Sequence, residues 1–283
     1  MDEQGRYLVY SVTKTFLGVL CLRLELELDA PAATWLDDRR LPRASLRQLL
    51  NHTSGIRDYG RLPEYAAAVC ERPSAPWDDE ELLARALARG PEFEPGAGWA
   101  YSNTGFLLVR RIVDAAAPGG FAGALERELL APLDLTETSL ALELADLDEL
   151  VPALSKQVGN GEHDVRGRYH PRWVGHRTLA STHADQRRFW SALARGELCD
   201  LGTLTASIEI GFAAPGFVRP SYGLGVMTDP GRPHGLLIGH GGGGPGYVAA
   251  AFALAGDEPE LAVLLSADER EDVQAAALRR LKR

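Results

Sequence analysis

The stretch Tyr10-Ser11-Val12-Thr13-Lys14-Thr15-Phe16 decides how the rest of the chain is read. A serine and a lysine three residues apart share one face of a helix, close enough for their side chains to meet. Serine at its free pKa is a weak nucleophile and needs an adjacent base. A lysine amine can be that base only when burial or nearby cations push its pKa towards neutrality. Lys14 stands out because lysine is scarce: of the 30 cationic residues only Lys14, Lys156 and Lys282 are not arginine. Arginine cannot replace a deprotonatable amine, because its guanidinium keeps its proton. The pair also fits a plain helix N-terminus, with Ser11 as cap and Lys14 in solvent. Taken alone, the stretch leaves both readings open.

The bulk of the chain sets limits around it. Its 283 residues suffice for one large domain or two interleaved lobes. A net charge of −9 argues against nucleic acid or an anionic membrane as partner. Cys21, Cys70 and Cys199 are odd in number and far apart, so no disulfide framework is implied. No apolar run reaches the ~18 residues of a membrane span, and Met1-Asp2-Glu3-Gln4-Gly5 is too polar for a signal peptide. A cytoplasmic protein is expected.

Along the chain, Ser11–Arg23 reads as a buried helix that breaks into the alternation Leu24-Glu25-Leu26-Glu27-Leu28. Helices are predicted over Ala44–His52, Asp78–Ala88, Thr104–Ala117, Ala122–Leu130, Thr182–Ala194 and Asp272–Arg283. Residues 141–178 show little periodicity. Strands are predicted at Tyr222–Met227, Gly235–Ile238, Tyr247–Leu254 and Leu261–Leu265. Helices in the middle followed by an antiparallel sheet and a terminal helix make an α+β arrangement.

Three short segments then stand in order: Ser11-Val12-Thr13-Lys14, Tyr101-Ser102-Asn103, and His240-Gly241-Gly242. Around them lie Leu49-Leu50-Asn51-His52-Thr53-Ser54-Gly55, Pro95-Gly96, Leu179-Ala180-Ser181-Thr182, Tyr222-Gly223-Leu224-Gly225 and Pro245-Gly246-Tyr247. Together these resemble the serine β-lactamase and penicillin-binding-protein superfamily, and most closely its class C-like branch of DD-peptidases, esterases, D-aminopeptidases and transesterases. The resemblance covers almost the whole chain. It implies a β-lactamase-like fold: one domain over 1–283, with a helical lobe at about 30–205 inserted between the nucleophile helix and a C-terminal sheet at 220–283.

The resemblance also implies roles. Ser11 would attack an acyl carbon, with Lys14 and Tyr101 sharing its proton and Tyr101 serving the leaving group and the water. Asn103 would hold the lysine amine or a polar group of the substrate. The backbone N–H groups of Ser11 and Gly243, with Gly242 beside them, would form the oxyanion hole. Trp173 and Tyr222 are candidates for lining the pocket, although aromatic residues are more often core. His240, in place of the lysine common in that motif, has a free pKa of ~6.5 and is largely neutral at pH 7. An uncharged small ester or amide therefore fits better than a carboxylate-bearing β-lactam or D-Ala-D-Ala end. Acyl transfer to an alcohol or amine, a DD-peptidase or β-lactamase activity, and a non-catalytic binding homologue are the alternatives. No cofactor is called for.

Other features carry less. Gly241–Gly244 lacks the following Lys-Ser/Thr pair of a phosphate loop. His163, His170, His176 and His183 have spacings that match no helical ligand pair, so loop or substrate-channel histidines are expected and no metal. His52 is expected to fix the turn at Thr53-Ser54-Gly55. Relatives of this type carry a helix and about two strands before the nucleophile helix, whereas only ten residues precede Ser11. The sheet is therefore expected to be short, with an edge or face uncovered. An upstream start, a trimmed domain, or a second copy of the chain covering the gap would each account for this.

Overall fold

Near-continuous apolar runs at the C-terminal end form strands buried on both faces. In the computed structural model, which describes residues 2–41, 43–210 and 214–281, these strands belong to a six-stranded antiparallel sheet. In chain order the strands are β1 (Tyr7–Leu8), β2 (Ser139–Ala141), β3 (Leu154–Ser155), β4 (His163–Asp164), β5 (Thr178–Ser181), β6 (Ile208–Glu209), β7 (Ser221–Tyr222), β8 (Met227–Asp229), β9 (Leu237–Gly243), β10 (Val248–Leu254) and β11 (Glu260–Ser266). The helices are α1 (Thr13–Arg23), α2 (Leu46–Leu50), α3 (Pro63–Glu71), α4 (Asp79–Leu87), α5 (Asn103–Ala116), α6 (Gly120–Leu125, continued by a π turn to Leu130), α7 (His183–Ala194), α8 (Leu201–Leu204) and α9 (Val273–Arg280).

The large sheet runs β11-β10-β9-β8-β7-β6. Its period-2 alternation sorts side chains to two sides. Ala250, Phe252, Ala262 and Leu264 pack on Val273, Ala277 and Leu278 of α9. Ala249, Ala251, Ala253, Val263 and Leu265 belong to the main core with Phe189 and Trp190 of α7. Alanines on both faces let the two helices approach closely. β11 is the edge strand, and its Leu265 N–H donates to Nε2 of the buried His183.

Several elements differ from the sequence reading. The strand expected at Gly235–Ile238 runs instead over Leu237–Gly243, so Gly239-His240-Gly241-Gly242-Gly243 is part of β9, paired along its length with β10. The expected strand Tyr222–Met227 is instead two short strands joined by a tight turn, in which Gly223 N–H donates to the Val226 carbonyl and Gly225 has φ 80°. Short strands on that side extend the sheet to six, so it is not short. The residues ahead of Ser11 build β1, which pairs with β5 in a separate three-stranded sheet. Helices α3 and α8 had no counterpart in the sequence reading. The predicted terminal helix ends at Arg280; Lys282 and Arg283 lie outside the described residues. Among the described residues, no helix is long and apolar enough to cross a membrane.

Helix α1 is buried on every side from Thr13 to Cys21, so a helix with no polar face is stable here only as a core element. It begins at Thr13, because Tyr10–Val12 form a 3₁₀ turn ahead of it and carry Ser11. The 223–226 turn packs against α1 at Gly18, and Thr15 Oγ1 donates to the Gly225 carbonyl at 2.7 Å. A Cβ on Gly18 would collide with the Leu224 carbonyl oxygen, a backbone atom with no rotamer to yield. Gly18→Ala should therefore destabilise the protein by about 1–3 kcal/mol, the usual range for overpacking. Urea unfolding followed by tryptophan fluorescence checks it; an unchanged midpoint would mean that turn and helix are not in rigid contact.

Candidate active site

The nucleophile turn is held in an uncommon backbone conformation. Tyr10, immediately before Ser11, has φ 45°, a left-handed value rarely adopted by a bulky residue. Three contacts hold it there. Its N–H donates to Thr178 Oγ1 (2.9 Å), its hydroxyl donates to the Pro245 carbonyl (2.6 Å), and its ring lies against Gly244. Gly242 of β9 passes so close that a Cβ would strike the Val9 carbonyl oxygen and come within 3.1 Å of Ser11 N. Only a bare backbone fits there. Ser11 and Gly243 share the walls of two adjoining cavities.

Lys14 lies one helical turn on and is wholly buried. Its Nζ is 2.9 Å from Ser11 Oγ, 2.8 Å from Asn103 Oδ1 and 3.3 Å from His176 Nε2. Tyr101 Oη donates to Ser11 Oγ at 2.8 Å. Among the described residues no carboxylate touches the amine. Burial pushes the Lys14 pKa well below the ordinary lysine value, against a weaker pull upward from Asp58. Burial also drives the Tyr101 phenol above its usual range, despite the bond to Ser11. The triad of Ser11, Lys14 and Tyr101 thus contains a neutral-leaning amine and a firmly protonated phenol.

Asn103, first residue of α5, has its orientation fixed by Asp58, a residue the sequence reading missed. Asp58 Oδ1 accepts from Asn103 N (3.1 Å) and Oδ2 from Asn103 Nδ2 (3.2 Å). With the amide nitrogen committed to the carboxylate, the amide oxygen must face Lys14. The Asp58 pKa is raised by burial, against its hydrogen bonds to Gly60 and Asn103.

His240 sits on β9, fully buried. Nδ1 lies 2.5 Å from the Gly241 carbonyl oxygen and Nε2 2.8 Å from the Tyr222 hydroxyl, an arrangement that suits the neutral ring with Nδ1–H donating and Nε2 accepting. Its pKa is pushed down to about 3, by burial first and the Lys14 charge second, against the Gly241 bond. His52 does not fix the 53–55 turn, which Asn51 Oδ1 holds by accepting from Thr53 N and Oγ1. Instead His52 Nδ1 accepts from Ser102 N at 3.1 Å and braces the Tyr101 loop.

Two expected lining residues are placed elsewhere. Trp173 is completely buried behind Tyr65, with its Nε1–H donating to the Pro73 carbonyl, and does not reach the cavity. Tyr222 lies beneath Tyr101, committed to His240, and faces a different depression. The cavity beside Ser11, of about 390 Å³, is walled largely by Tyr10, Tyr59, Tyr65, Tyr169, Val69 and Val174. Among the described residues no aspartate, glutamate, lysine or arginine borders it. The four histidines at 163–183 do not converge. His163 bonds its own loop at Asn160, His170 caps a 3₁₀ turn and His183 holds Leu265; only His176 is at the site. Among the described residues no group of three or more His, Cys, Asp or Glu side chains is placed to hold a metal.

The chain is similar to known proteins in sequence and in fold. A family model described as Beta-lactamase matches residues 1–283. Penicillin-binding protein 4* of Bacillus subtilis (strain 168) is 25% identical over 295 residues, which cover 95% of this chain and 62% of that protein. D-aminopeptidase of Brucella anthropi is 28% identical over 152 residues, covering 53% of this chain and 29% of the relative. The chain thus spans less than two thirds of the length of these curated relatives. Among solved structures, a D-stereospecific amidohydrolase from Streptomyces sp. superimposes with a TM-score of 0.85 at 28% identity, over 97% of this chain and 85% of that one.

The buried histidines give stability a pH dependence. Unfolded histidine takes up its proton near ~6.5, whereas folded His240 does so only at about 3. Between those values the unfolded state binds more protons, so stability falls as pH drops below ~6.5. At pH 5 His240 alone should cost about 2 kcal/mol. His52 and His176, also lowered by burial, act in the same direction, and the raised Asp58 opposes them. The melting temperature should therefore decline from pH 7 to pH 5, and His240→Asn should flatten that slope in differential scanning calorimetry. An equally steep slope in the variant would show that His240 is not buried neutral.

Proposed function

The chain belongs to the beta-lactamase family, and we propose that it is a serine acyl-enzyme hydrolase acting on an uncharged amide or ester with an apolar acyl group. The observation that carries this reading is Ser11 Oγ within hydrogen-bond reach of both Lys14 Nζ and Tyr101 Oη, beside a cavity that no charged side chain borders among the described residues. Neutral Lys14 takes the Ser11 proton as Oγ bonds to the acyl carbon, and the carbonyl electrons move onto oxygen. The Ser11 and Gly243 N–H groups face that developing charge. Collapse expels the amine or alcohol, which takes a proton from Tyr101, and Tyr101 is reprotonated from Lys14. Water then adds to the acyl-enzyme, gives up its proton along the same pair, and releases the acid from Ser11. Lys14 is the base in this scheme, because its amine is pushed towards neutrality while the Tyr101 phenol holds its proton.

The similarity to a D-stereospecific amidohydrolase and a D-aminopeptidase supports an amide bond next to a D-configured centre. The aromatic cavity favours an apolar side chain there. His240 cannot become a cation at neutral pH and offers no charge to a substrate carboxylate.

A fluorophosphonate should add once, at Ser11, by intact mass and peptide mapping, and not to Ser11→Ala. Lys14→Arg, which keeps the charge but cannot lose the proton, should slow labelling by about 10²–10⁴-fold. N-acetyl-D-phenylalanine p-nitroanilide, which carries no charge, should turn over faster than its L-enantiomer. An adduct retained in Ser11→Ala would overturn the nucleophile assignment, and a preference for the L-enantiomer would overturn the stereochemical one.

A further inference from the structure

His176 is the side chain at this site that no motif assigned, and the chain around it is built to hold it. It lies in the six-residue run Trp173-Val174-Gly175-His176-Arg177-Thr178 leading into β5. Each neighbour is tethered. Trp173 is fixed to the Pro73 carbonyl, Gly175 N–H donates to Tyr59 Oη (2.8 Å), and Thr178 Oγ1 accepts from Tyr10 N (2.9 Å). Arg177 has φ 69°, a strained value for a long side chain. Its guanidinium is held by Asp79 (Nη1 at 3.0 Å), which is shared with the buried Arg110. The strain and the ion pair draw residue 177 to one side, while His176 is buried on the other. Its Nε2 is 3.3 Å from Lys14 Nζ and its ring packs on Phe106 and borders the Ser11 cavity.

An ammonium has three N–H donors once it has accepted a proton. Lys14 Nζ has Ser11 Oγ and Asn103 Oδ1 within reach as acceptors, and His176 Nε2 as a third when the ring carries its proton on Nδ1; all three groups are neutral. We propose that His176 is a positioning residue for Lys14, whose Nε2 lone pair accepts one N–H of the newly formed ammonium and keeps Nζ aligned on Ser11 Oγ. This rests on the reading of Ser11 as nucleophile and Lys14 as its base. Burial and the Lys14 charge both keep the His176 ring unprotonated, as an acceptor requires. The other titratable groups around the amine are Asp58 behind Asn103, His52, His240 and Tyr101; Arg177 acts on His176 from the far side.

A neutral acceptor stabilises the ammonium, so it raises the Lys14 pKa relative to an apolar neighbour. The readout is the pH dependence of Ser11 labelling by a fluorophosphonate, whose rate rises as Lys14 loses its proton. In His176→Leu this acid limb should move down by about one pH unit, and the plateau rate should fall about tenfold as alignment is lost. His176→Gln, with an amide oxygen able to reach Nζ, should restore the limb and most of the plateau. Thermal melts confirm folding; if His176→Leu melts below the assay temperature, His176→Asn, whose amide stops short of Nζ, replaces it. A limb that is unmoved or moves up, or a glutamine variant that behaves like leucine, overturns the proposal while leaving Ser11 as nucleophile. No labelling of the wild-type protein would instead overturn both together.

Discussion

Everything at this site depends on an amine buried without a carboxylate in contact with it. Moving an ammonium out of water without a counter-ion is expensive, and proteins usually respond by neutralising the group. Here Lys14 is enclosed by Ser11, Asn103 and His176, each offering a neutral acceptor. The nearest charge of opposite sign, Asp58, is separated from it by the Asn103 amide. Had Asp58 touched Lys14 directly, the ion pair would fix the amine as a cation and remove it as a base. The interposed amide passes on orientation while weakening the field.

That constraint explains why the surroundings are so closely fitted. Water reaching Nζ would restore its ordinary pKa, so α1 is packed on all sides and its approach to the 223–226 turn requires glycine at 18 and at 225. The strand that borders the acyl group must come against the Ser11 turn, and Gly242 supplies the missing side chain. The left-handed Tyr10 turns Ser11 out of the helix into a 3₁₀ turn, held by bonds to Thr178 and Pro245. Each of these contacts joins a different part of the chain to the same few atoms. The sheet, with helices on both faces, gives β9 the rigidity such an approach needs.

Much of this was legible in the sequence because the reactive groups fall in short local motifs. Ser11 and Lys14 are one helical turn apart, Tyr101 and Asn103 lead into a helix, and the glycines after His240 have no side chain to hide their purpose. Asp58 was not legible and His176 was legible only as one of four loop or channel histidines, since their contacts span 45 and 162 residues with no fixed spacing. Trp173 and Tyr222 were candidates for the wrong reason. Trp173 is drawn away from the cavity with its Nε1–H on the Pro73 carbonyl, and Tyr222 is paired with His240 beside a different depression. The 222–227 segment misled because its apolar residues suggest a strand, while Gly223 and Gly225 serve a turn against α1.

The charge state of the finished site follows from the same burial. His52, His176 and His240 all titrate below their ordinary range, and Lys14 is pushed in the same direction, so cations are disfavoured at every titratable nitrogen around Ser11. Among the described residues no charged side chain walls the cavity of about 390 Å³, so little in it attracts or repels a charged group; Glu271 and Asp272 line only the adjoining cavity. Selection must then rest on shape, on aromatic contact with Tyr10, Tyr59, Tyr65 and Tyr169, and on a few fixed hydrogen bonds. The field in such a space is weakest before reaction and strongest when the oxyanion and the Lys14 ammonium form together. A low-dielectric enclosure strengthens the attraction between those two opposite charges. The cost of burying the amine in the resting protein is thereby partly returned at the step where Ser11 attacks.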